Sequence, residues 1–408
     1  MRQLICLVVV AVAIGVCSLA YGEEKTCGVY TSILDFTSRD ALKAAVDAQP
    51  PFLSERRRQR MAKLQNDASQ QRAKEAGFNT LFMTIYPLNG CDWWTIPAAR
   101  SLIHDAIVNG RKDFRIHIGL DLYCAEFCEK PSRYPGASRT IQCDGTRPDW
   151  VCFVDDRLWD LYIRNAVELA KLGNSIEGNI DGFFIDPEAY GPECYFCFCD
   201  NCVKKFNAYS GANMPTGLVK PDAWLHEHGL WEKYAKDWHP HEVRRHAEAL
   251  RDAIHAVNPK LQLSSLLWDY PVAVDIHEAR EDFFRNLAIG LGTKEQPSWT
   301  MPEHSYYSDA ADLKRIIDQV NADIAREAPG LVRVLPGIRI LRRSADSLLD
   351  RGKVIRDADV PGYWLYELAD LGPEKTIVDF EGAPTDPLPR YIQALRETNE
   401  MIIGGTKR

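Results

Sequence analysis

The chain contains 408 residues, of which 46% are hydrophobic and 26% are charged, and this composition excludes collagen, coiled coil and extensive disorder. Its formal net charge is −8, so it lacks the basic excess with which nucleic-acid-binding proteins neutralise phosphates. Twelve cysteines indicate disulfides or a metal, and ten tryptophans and sixteen tyrosines indicate a ligand surface or a large core.

The N-terminus is typical of a secretory signal peptide over residues 1–22. Arg2 opens a short basic region, and residues 4–14 form an apolar run that is short for a membrane span. The sequence Ala-Tyr-Gly places small residues before a cleavage site after Gly22. We expect cleavage there, with an uncleaved anchor as the alternative. The remaining 23–408 would be secreted or periplasmic, with no membrane association and in an oxidising compartment where disulfides persist.

Eight apolar, β-rich runs recur along the chain, each followed by a helical pattern. Such alternation indicates parallel strands joined by crossover helices. It predicts an α/β fold, a (β/α)8 TIM barrel forming one domain over 23–408. An open doubly wound sheet is the alternative, but no glycine fingerprint follows the first run, and we expect no organic cofactor. The runs cover residues 28–36, 80–86, 114–123, 180–186, 261–268, 298–301, 331–335 and 362–367.

Four helices can be placed from their capping residues and apolar stripes. We expect one from Asp155 or Asp156 to just before Gly173, one over 310–325 capped by Ser308, one beginning at Ser344, and one that includes 394–402.

The loops after the third and fourth strands are enlarged. Strand starts lie about 66 and about 81 residues apart there, against roughly 30–36 in the later units, which is the size of a minimal strand–helix unit. Loops that follow strands form the face of a barrel where active sites lie, so we expect these insertions to build a substrate cleft.

Two carboxylates, Asp186 and Glu188, end the fourth strand. They are two positions apart, so both can point toward the barrel mouth. Neighbouring carboxylates push their pKa values apart, and cleavage of a glycosidic bond requires one protonated and one ionised carboxyl group. We expect Glu188 to be the general acid/base and Asp186 a stabiliser or nucleophile. The structural alternative is that one caps the next helix and the other pairs with an arginine.

Other strand ends add carboxylates and aromatic rings. Glu303, after the sixth strand, is the best candidate for a second catalytic carboxylate across the cleft, and Glu367 and Asp269 are the next candidates. Apolar sugar faces stack on aromatic rings, although each ring can equally be packing. The expected substrate-binding residues are Trp94, Tyr123, Tyr190, Trp268, Asp269, Trp299, Tyr306, Trp364 and Glu367.

Four cysteines lie within nine residues, 194–202. Four thiolates can hold a tetrahedral zinc ion, and cysteines only two or three positions apart form awkward disulfides. A purely disulfide-bonded cluster is the alternative.

The fourth strand and these cysteines resemble the β-galactosidases of glycoside hydrolase family 42. The matching residues are Glu188, Tyr190, Gly191, Cys197, Cys199, Cys202 and Phe206, and Cys152 lies where that family has its fourth zinc ligand. The resemblance implies a barrel glycosidase with a structural zinc held by Cys152, Cys197, Cys199 and Cys202. It covers about 60 residues. The chain departs from the family in having Pro187 before Glu188 and no glutamate nucleophile after the seventh strand.

Residues 181–188 are also similar to the chitinase-type signature Asp-Gly-x-Asp-x-Asp-x-Glu, with Phe184 in place of the middle aspartate. This resemblance implies that the acetamido group of the substrate is the nucleophile. Both resemblances imply Glu188 as the proton donor.

The sequence therefore predicts a secreted hydrolase of carbohydrate metabolism that cleaves O-glycosidic bonds in an oligo- or polysaccharide. The alternatives are a carbohydrate-binding barrel without catalysis and a chitinase-like, substrate-assisted hydrolase. The oligomeric state is open. Six further cysteines of the mature chain can form disulfides, and 15 pairings are open: Cys27, Cys91, Cys124, Cys128, Cys143 and Cys194.

Overall fold

The computed structural model describes residues 25–62, 67–85, 88, 92–121, 136–148, 151–186, 196–267, 278–340, 343–372 and 386–404. The described residues form one parallel sheet of nine strands in the order β7-β6-β5-β4-β3-β2-β1-β9-β8. They are β1 (Thr26–Ser32), β2 (Thr80–Thr84), β3 (Arg115–Asp121), β4 (Gly182–Asp186), β5 (Gln262–Leu267), β6 (Ser298–Pro302), β7 (Val332–Val334), β8 (Gly337–Ile338) and β9 (Gly362–Leu365).

The two ends of this sheet are pieces of one chain segment. β7 pairs with β6, and β8 pairs with β9, while only Leu335 and Pro336 separate β7 from β8. The amide of Leu335 donates to Thr300 O at 2.8 Å, and the amide of Trp364 donates to Pro336 O at 3.0 Å. The sheet therefore curls into a barrel of eight strand positions, with the seventh strand interrupted near a proline that has no N–H to donate.

Helices cover the outside of the barrel and occupy its longer loops. All eight predicted strands and the two enlarged loops are confirmed. The insertion after β4 contains the helices Asp200–Ser210 and Pro221–Glu227 and a π-helical turn, Lys233–Trp238. The described helices are α1 (Arg39–Val46), α2 (Glu55–Met61), α3 (Asp67–Glu75), α4 (Pro97–Arg111), α5 (Asp156–Asn174), α6 (Asp200–Ser210), α7 (Pro221–Glu227), α8 (His239–Val257), α9 (Glu278–Leu291), α10 (Ala310–Glu327), α11 (Ala345–Asp357) and α12 (Leu388–Gly404).

The capping predictions hold at two helices and fail in detail at a third. Asp155 caps α5 and Ser344 caps α11, each through a side-chain oxygen that accepts a backbone N–H. α10 is capped by Asp309 rather than by Ser308, because Asp309 Oδ1 is the atom that accepts the amide of Asp312, at 2.9 Å. α5 also runs one residue beyond Gly173.

The barrel interior is filled by aromatic rings that face inward from alternate positions of the strands. Phe82 and Phe184 meet edge-on with ring centroids 5.7 Å apart. Two inward glycines leave room for them: a Cβ on Gly28 would lie 2.2 Å from the ring of Phe82, and one on Gly119 would lie 2.3 Å from that of Phe184. The interior is thus a packed core, and ligand access is confined to the end where the strands finish.

None of the described helices combines the length and apolarity that a membrane span requires. Residues 1–22, where the signal peptide is predicted, lie outside the described residues.

Candidate functional site

Part of the predicted site lies outside the described residues. This part comprises Tyr123, Glu188, Tyr190, Trp268 and Asp269. The described part comprises Asp186, Glu303, Trp94, Trp299, Tyr306, Trp364, Glu367 and the four cysteines.

Asp186 and Glu303 lie at the same end of the barrel, at the ends of two strands that are separated in the sheet by β5 alone. Asp186 is the last residue of β4 and is buried, while Glu303 opens a 3₁₀ turn, Glu303–Tyr307, directly after β6. Burial raises the pKa of Tyr306 well above its ordinary value, and the neighbouring charges of Glu303 and Asp186 raise it further. The charges of both carboxylates therefore influence the pKa of Tyr306 at the barrel mouth.

Aromatic rings wall this mouth. Tyr306 stacks on Tyr366 at 5.1 Å with an interplanar angle of 15°, and meets Trp364 edge-on at 4.9 Å. Tyr30, which projects inward from β1, lies 5.2 Å from Tyr366 and 5.6 Å from Phe184. Tyr30 was missed as a site residue, although its alternation with Gly28 in β1 could have placed it on the inward face.

Two polar atoms of this wall have no hydrogen-bond partner among the described residues. They are the hydroxyl of Tyr306, a residue 5% exposed, and Nε1 of Trp364, a residue 0% exposed. Leaving a buried donor unsatisfied costs about 1–3 kcal/mol. A ligand that presents hydroxyl groups to the mouth would satisfy both donors.

Trp299, the second residue of β6, is buried. Its ring stacks on His117 at 5.4 Å with an interplanar angle of 17°. Burial lowers the pKa of His117 to about 3, and the charge of Arg115 adds to the shift, so this imidazole is neutral at physiological pH. Trp94, in a turn after β2, is half-buried and meets Trp93 edge-on at 5.8 Å.

Arg339, which directly follows β8, is paired. Arg339 Nε donates to Asp370 Oδ2 at 2.9 Å and Nη1 donates to Tyr307 Oη at 2.8 Å, and its guanidinium lies 5.0 Å from the centre of the Tyr366 ring. Burial raises the pKa of Asp370, against the opposing charge of Arg339. Glu367 is half-buried after β9, and its carbonyl accepts the amide of Asp370 at 3.0 Å.

The four cysteines form a second, separate cluster. Their sulfur atoms all lie within 4.8 Å of one another. Cys152 Sγ lies 3.3 Å from Cys202 Sγ, and Cys199 Sγ lies 3.6 Å from Cys202 Sγ. These separations exceed the length of a disulfide bond, about 2.05 Å. Both are slightly shorter than the edge of about 3.8 Å that four thiolates adopt around a tetrahedral ion at about 2.3 Å, and this edge lies within the 4.8 Å limit that holds for all pairs.

The cluster joins the two enlarged loops. Cys152 N donates to Ser138 O at 2.8 Å in the loop after β3, and Phe198 N donates to Ile141 O at 2.8 Å across the two loops. Cys199 is the N-cap of α6 and Cys202 lies in its first turn, where the positive end of the helix dipole favours thiolates.

An aromatic shell encloses the sulfur atoms. Phe198 stacks on Tyr234 at 4.9 Å, Phe206 meets Tyr234 at 4.8 Å, and the Tyr234 hydroxyl donates to Cys197 O. Burial raises the pKa of Cys202, whereas hydrogen bonds from the neighbouring thiols, Cys152 first, lower that of Cys199. The described part of the chain therefore presents a closed, buried tetrathiol site that can hold a metal ion and offers no open position for substrate.

Among the comparisons with known proteins, the comparison with solved structures identifies the fold of the chain. No protein-family model and no curated protein matches the chain. The catalytic domain of β-amylase from Paenibacillus polymyxa matches with a TM-score of 0.55 and 11% identity, over 93% of this chain and 99% of that one. β-Galactosidase from the psychrophilic Marinomonas ef1 matches with 0.53 and 8%, over 92% of this chain and 59% of that one.

The endo-β-1,4-mannanase from Thermotoga petrophila matches with a TM-score of 0.51 and 11% identity, over 94% of this chain and 78% of that one. These likenesses show that the chain has the (β/α)8 barrel fold of glycoside hydrolases. Because no family model matches, the resemblance to family 42 rests on the residues of the fourth strand and the cysteine cluster.

Proposed function

We propose that the protein is a glycoside hydrolase that cleaves O-glycosidic bonds in an oligo- or polysaccharide by carboxylate general acid/base catalysis. The observation that carries this proposal is that Asp186, at the end of β4, and Glu303, directly after β6, lie at the same end of the barrel beside the aromatic wall. Two carboxylates that flank a bound bond can protonate the leaving oxygen and stabilise or trap the developing oxocarbenium ion.

In this proposal Glu188, two residues beyond the described end of β4, is the general acid/base. Asp186 is the neighbouring carboxylate and Glu303 faces them from across the mouth. The rings of Tyr306, Trp364 and Tyr366 provide apolar surface for a sugar ring, and the two unsatisfied donors provide polar contacts.

We further propose that Cys152, Cys197, Cys199 and Cys202 hold a structural zinc ion. Four thiolates in a closed site are the donor set that zinc takes in structural sites, and their spacing supports this reading. The ion would fasten the enlarged loops to each other and take no part in the reaction. Secretion after cleavage at Gly22 remains a proposal on the sequence alone.

The test is hydrolysis of a panel of defined oligosaccharides by the full chain and its variants. Glu188→Gln, Asp186→Asn and Glu303→Gln should each lower kcat by about 10²-fold or more, because each loses a charge or proton that the transition state requires. The control is Asp318→Asn, which changes an exposed carboxylate on α10.

Full activity of Glu188→Gln would overturn its assignment as the acid. Binding of a glycan without turnover by the wild-type protein would favour a carbohydrate-binding barrel over an enzyme.

A further inference from the structure

Arg351 is an arginine of α11 that is 0% exposed, and within the described ranges its donors reach only backbone carbonyls. It donates to Tyr306 O at 3.2 Å, to Arg339 O at 3.0 Å and to Ser347 O in its own helix at 3.3 Å. Burial and the charge of Arg343 lower its pKa to about 10, so it stays protonated at neutral pH. No described carboxylate forms an ion pair with Arg351.

A buried charge without a counter-ion destabilises a fold unless its hydrogen bonds compensate. Two of the three acceptors of Arg351 belong to segments 33 residues apart in the chain. Tyr306 lies in the turn Glu303–Tyr307 after β6, which we call the mouth turn, and Arg339 follows β8. The guanidinium of Arg351 therefore forms hydrogen bonds with both segments that border the mouth, the mouth turn and the segment after β8.

Other contacts fasten the mouth turn to the same neighbour. Gly337 N donates to Ser305 Oγ at 2.8 Å. Arg343 donates to the carbonyl of Tyr307, and Arg339 donates to its hydroxyl at 2.8 Å. The mouth turn thus has several polar attachments within five residues, which is typical of a segment whose placement must be accurate.

We propose that Arg351 is a positioning residue that fixes the mouth turn, and through it Glu303 and Tyr306, without touching the substrate. Because Tyr306 O is a direct acceptor of Arg351, loss of the guanidinium would let the turn shift. A misplacement of about 1 Å at a reacting group can lower a rate by about 10²-fold. This inference rests on the proposed function, since it takes Glu303 as part of the catalytic site.

The chain offers a matched control in Arg251. Its Nη1 also donates to two backbone carbonyls, Gly290 O at 2.9 Å and Gly292 O at 3.3 Å. Those carbonyls lie at the end of α9 and before β6, at the opposite end of the barrel from the mouth turn. Arg251→Met should therefore reduce stability without moving the mouth.

The experiment measures kcat and KM for Arg351→Met, Arg351→Lys and Arg251→Met on a glycoside that the wild-type protein cleaves. Arg351→Met should lower kcat by roughly 10-fold or more with KM within about threefold, because it disturbs transition-state contacts. Arg351→Lys keeps the charge but lacks the planar fork that reaches both carbonyls. It should fold and show an intermediate loss, which provides the answer should Arg351→Met fail to fold.

Equal kcat values for the Arg351 variants and Arg251→Met would overturn the proposal. If the wild-type protein cleaves no glycoside, the proposed function fails, and hydrogen exchange of residues 303–307 then tests the placement alone. Faster exchange there in Arg351→Lys than in Arg251→Met would support the role of Arg351 in fixing the turn. Unchanged exchange would overturn it.

Discussion

At the scale of single residues, two buried donors of the aromatic wall, the hydroxyl of Tyr306 and Nε1 of Trp364, lack a hydrogen-bond partner in the part of the chain that the structure describes. Tyr306 and Trp364 are as buried as core residues, yet their donors reach no acceptor among the described residues. Natural cores pair nearly all such atoms. Tyr363, the outward neighbour of Trp364 in β9, shows the usual arrangement, because its hydroxyl donates to Asn399 Oδ1 at 2.5 Å.

Tyr306→Phe should therefore separate activity from stability. Removing an unsatisfied hydroxyl should change the free energy of unfolding by less than about 1 kcal/mol, while kcat/KM falls roughly 10-fold through lost contact with the sugar. Tyr363→Phe is the matched control and should lose about 1 kcal/mol of stability with unchanged activity. Chemical denaturation and kinetics on the same samples provide both measurements, and a fully active Tyr306→Phe would contradict the role in binding.

The buried imidazole of His117 gives stability a definite pH dependence. Its pKa is about 3 in the folded chain against 6.5 for the ordinary side chain, so between these values the unfolded state binds the extra proton. Stability should rise with pH through this window and be lost as pH falls, by up to about 1.4 kcal/mol per pH unit.

In His117→Gln the number of protons that unfolding takes up in this window should fall by about one. The measurement is the change in unfolding free energy between pH 4 and pH 6.5. His228→Gln, which changes an exposed histidine directly after α7, provides the comparison. An unchanged slope in His117→Gln would show that this side chain is not the source.

At the scale of elements, the cysteine cluster is what unites the two enlarged loops. Cys152 comes from the loop after β3, and Cys197, Cys199 and Cys202 come from the insertion after β4 and the start of α6. Short internal hydrogen bonds and aromatic contacts surround it, but each loop is long, and ordering a long loop is entropically costly. A bound ion would contribute directly to the folding of this region.

Cys199→Ser should therefore release the metal and destabilise the loops together. We expect about one zinc ion per wild-type chain by elemental analysis, less than a tenth of that in the variant, and a loss of roughly 2–5 kcal/mol in folding stability. Chelation of the wild-type protein should reproduce the loss. A wild-type protein without metal and with the four cysteines joined in disulfides would contradict the site.

At the scale of the whole molecule, the order of strands and helices follows from the sequence, and the closure of the barrel does not. Apolar runs bounded by turn residues predicted all eight strands, because burial on both faces of a parallel strand leaves a continuous apolar signal. The break at Leu335 and Pro336 shows how one segment can supply both ends of the sheet. The pairing of β7 with β6 and of β8 with β9 depends on strands that are remote from each other in sequence.

The sequence by itself determined the repeated strand–helix units, the enlarged loops, the carboxylates at the strand ends and the cysteine spacing, since each is a local pattern with a local physical cause. The tertiary structure decided which strand ends meet. It placed Glu303 and Asp186 at the same end of the barrel, gave Cys152 its three distant partners, and placed Arg351 behind the mouth turn. These relations join residues 45 to 117 positions apart, so they depend on the tertiary fold of the barrel and its loops, which no local pattern encodes.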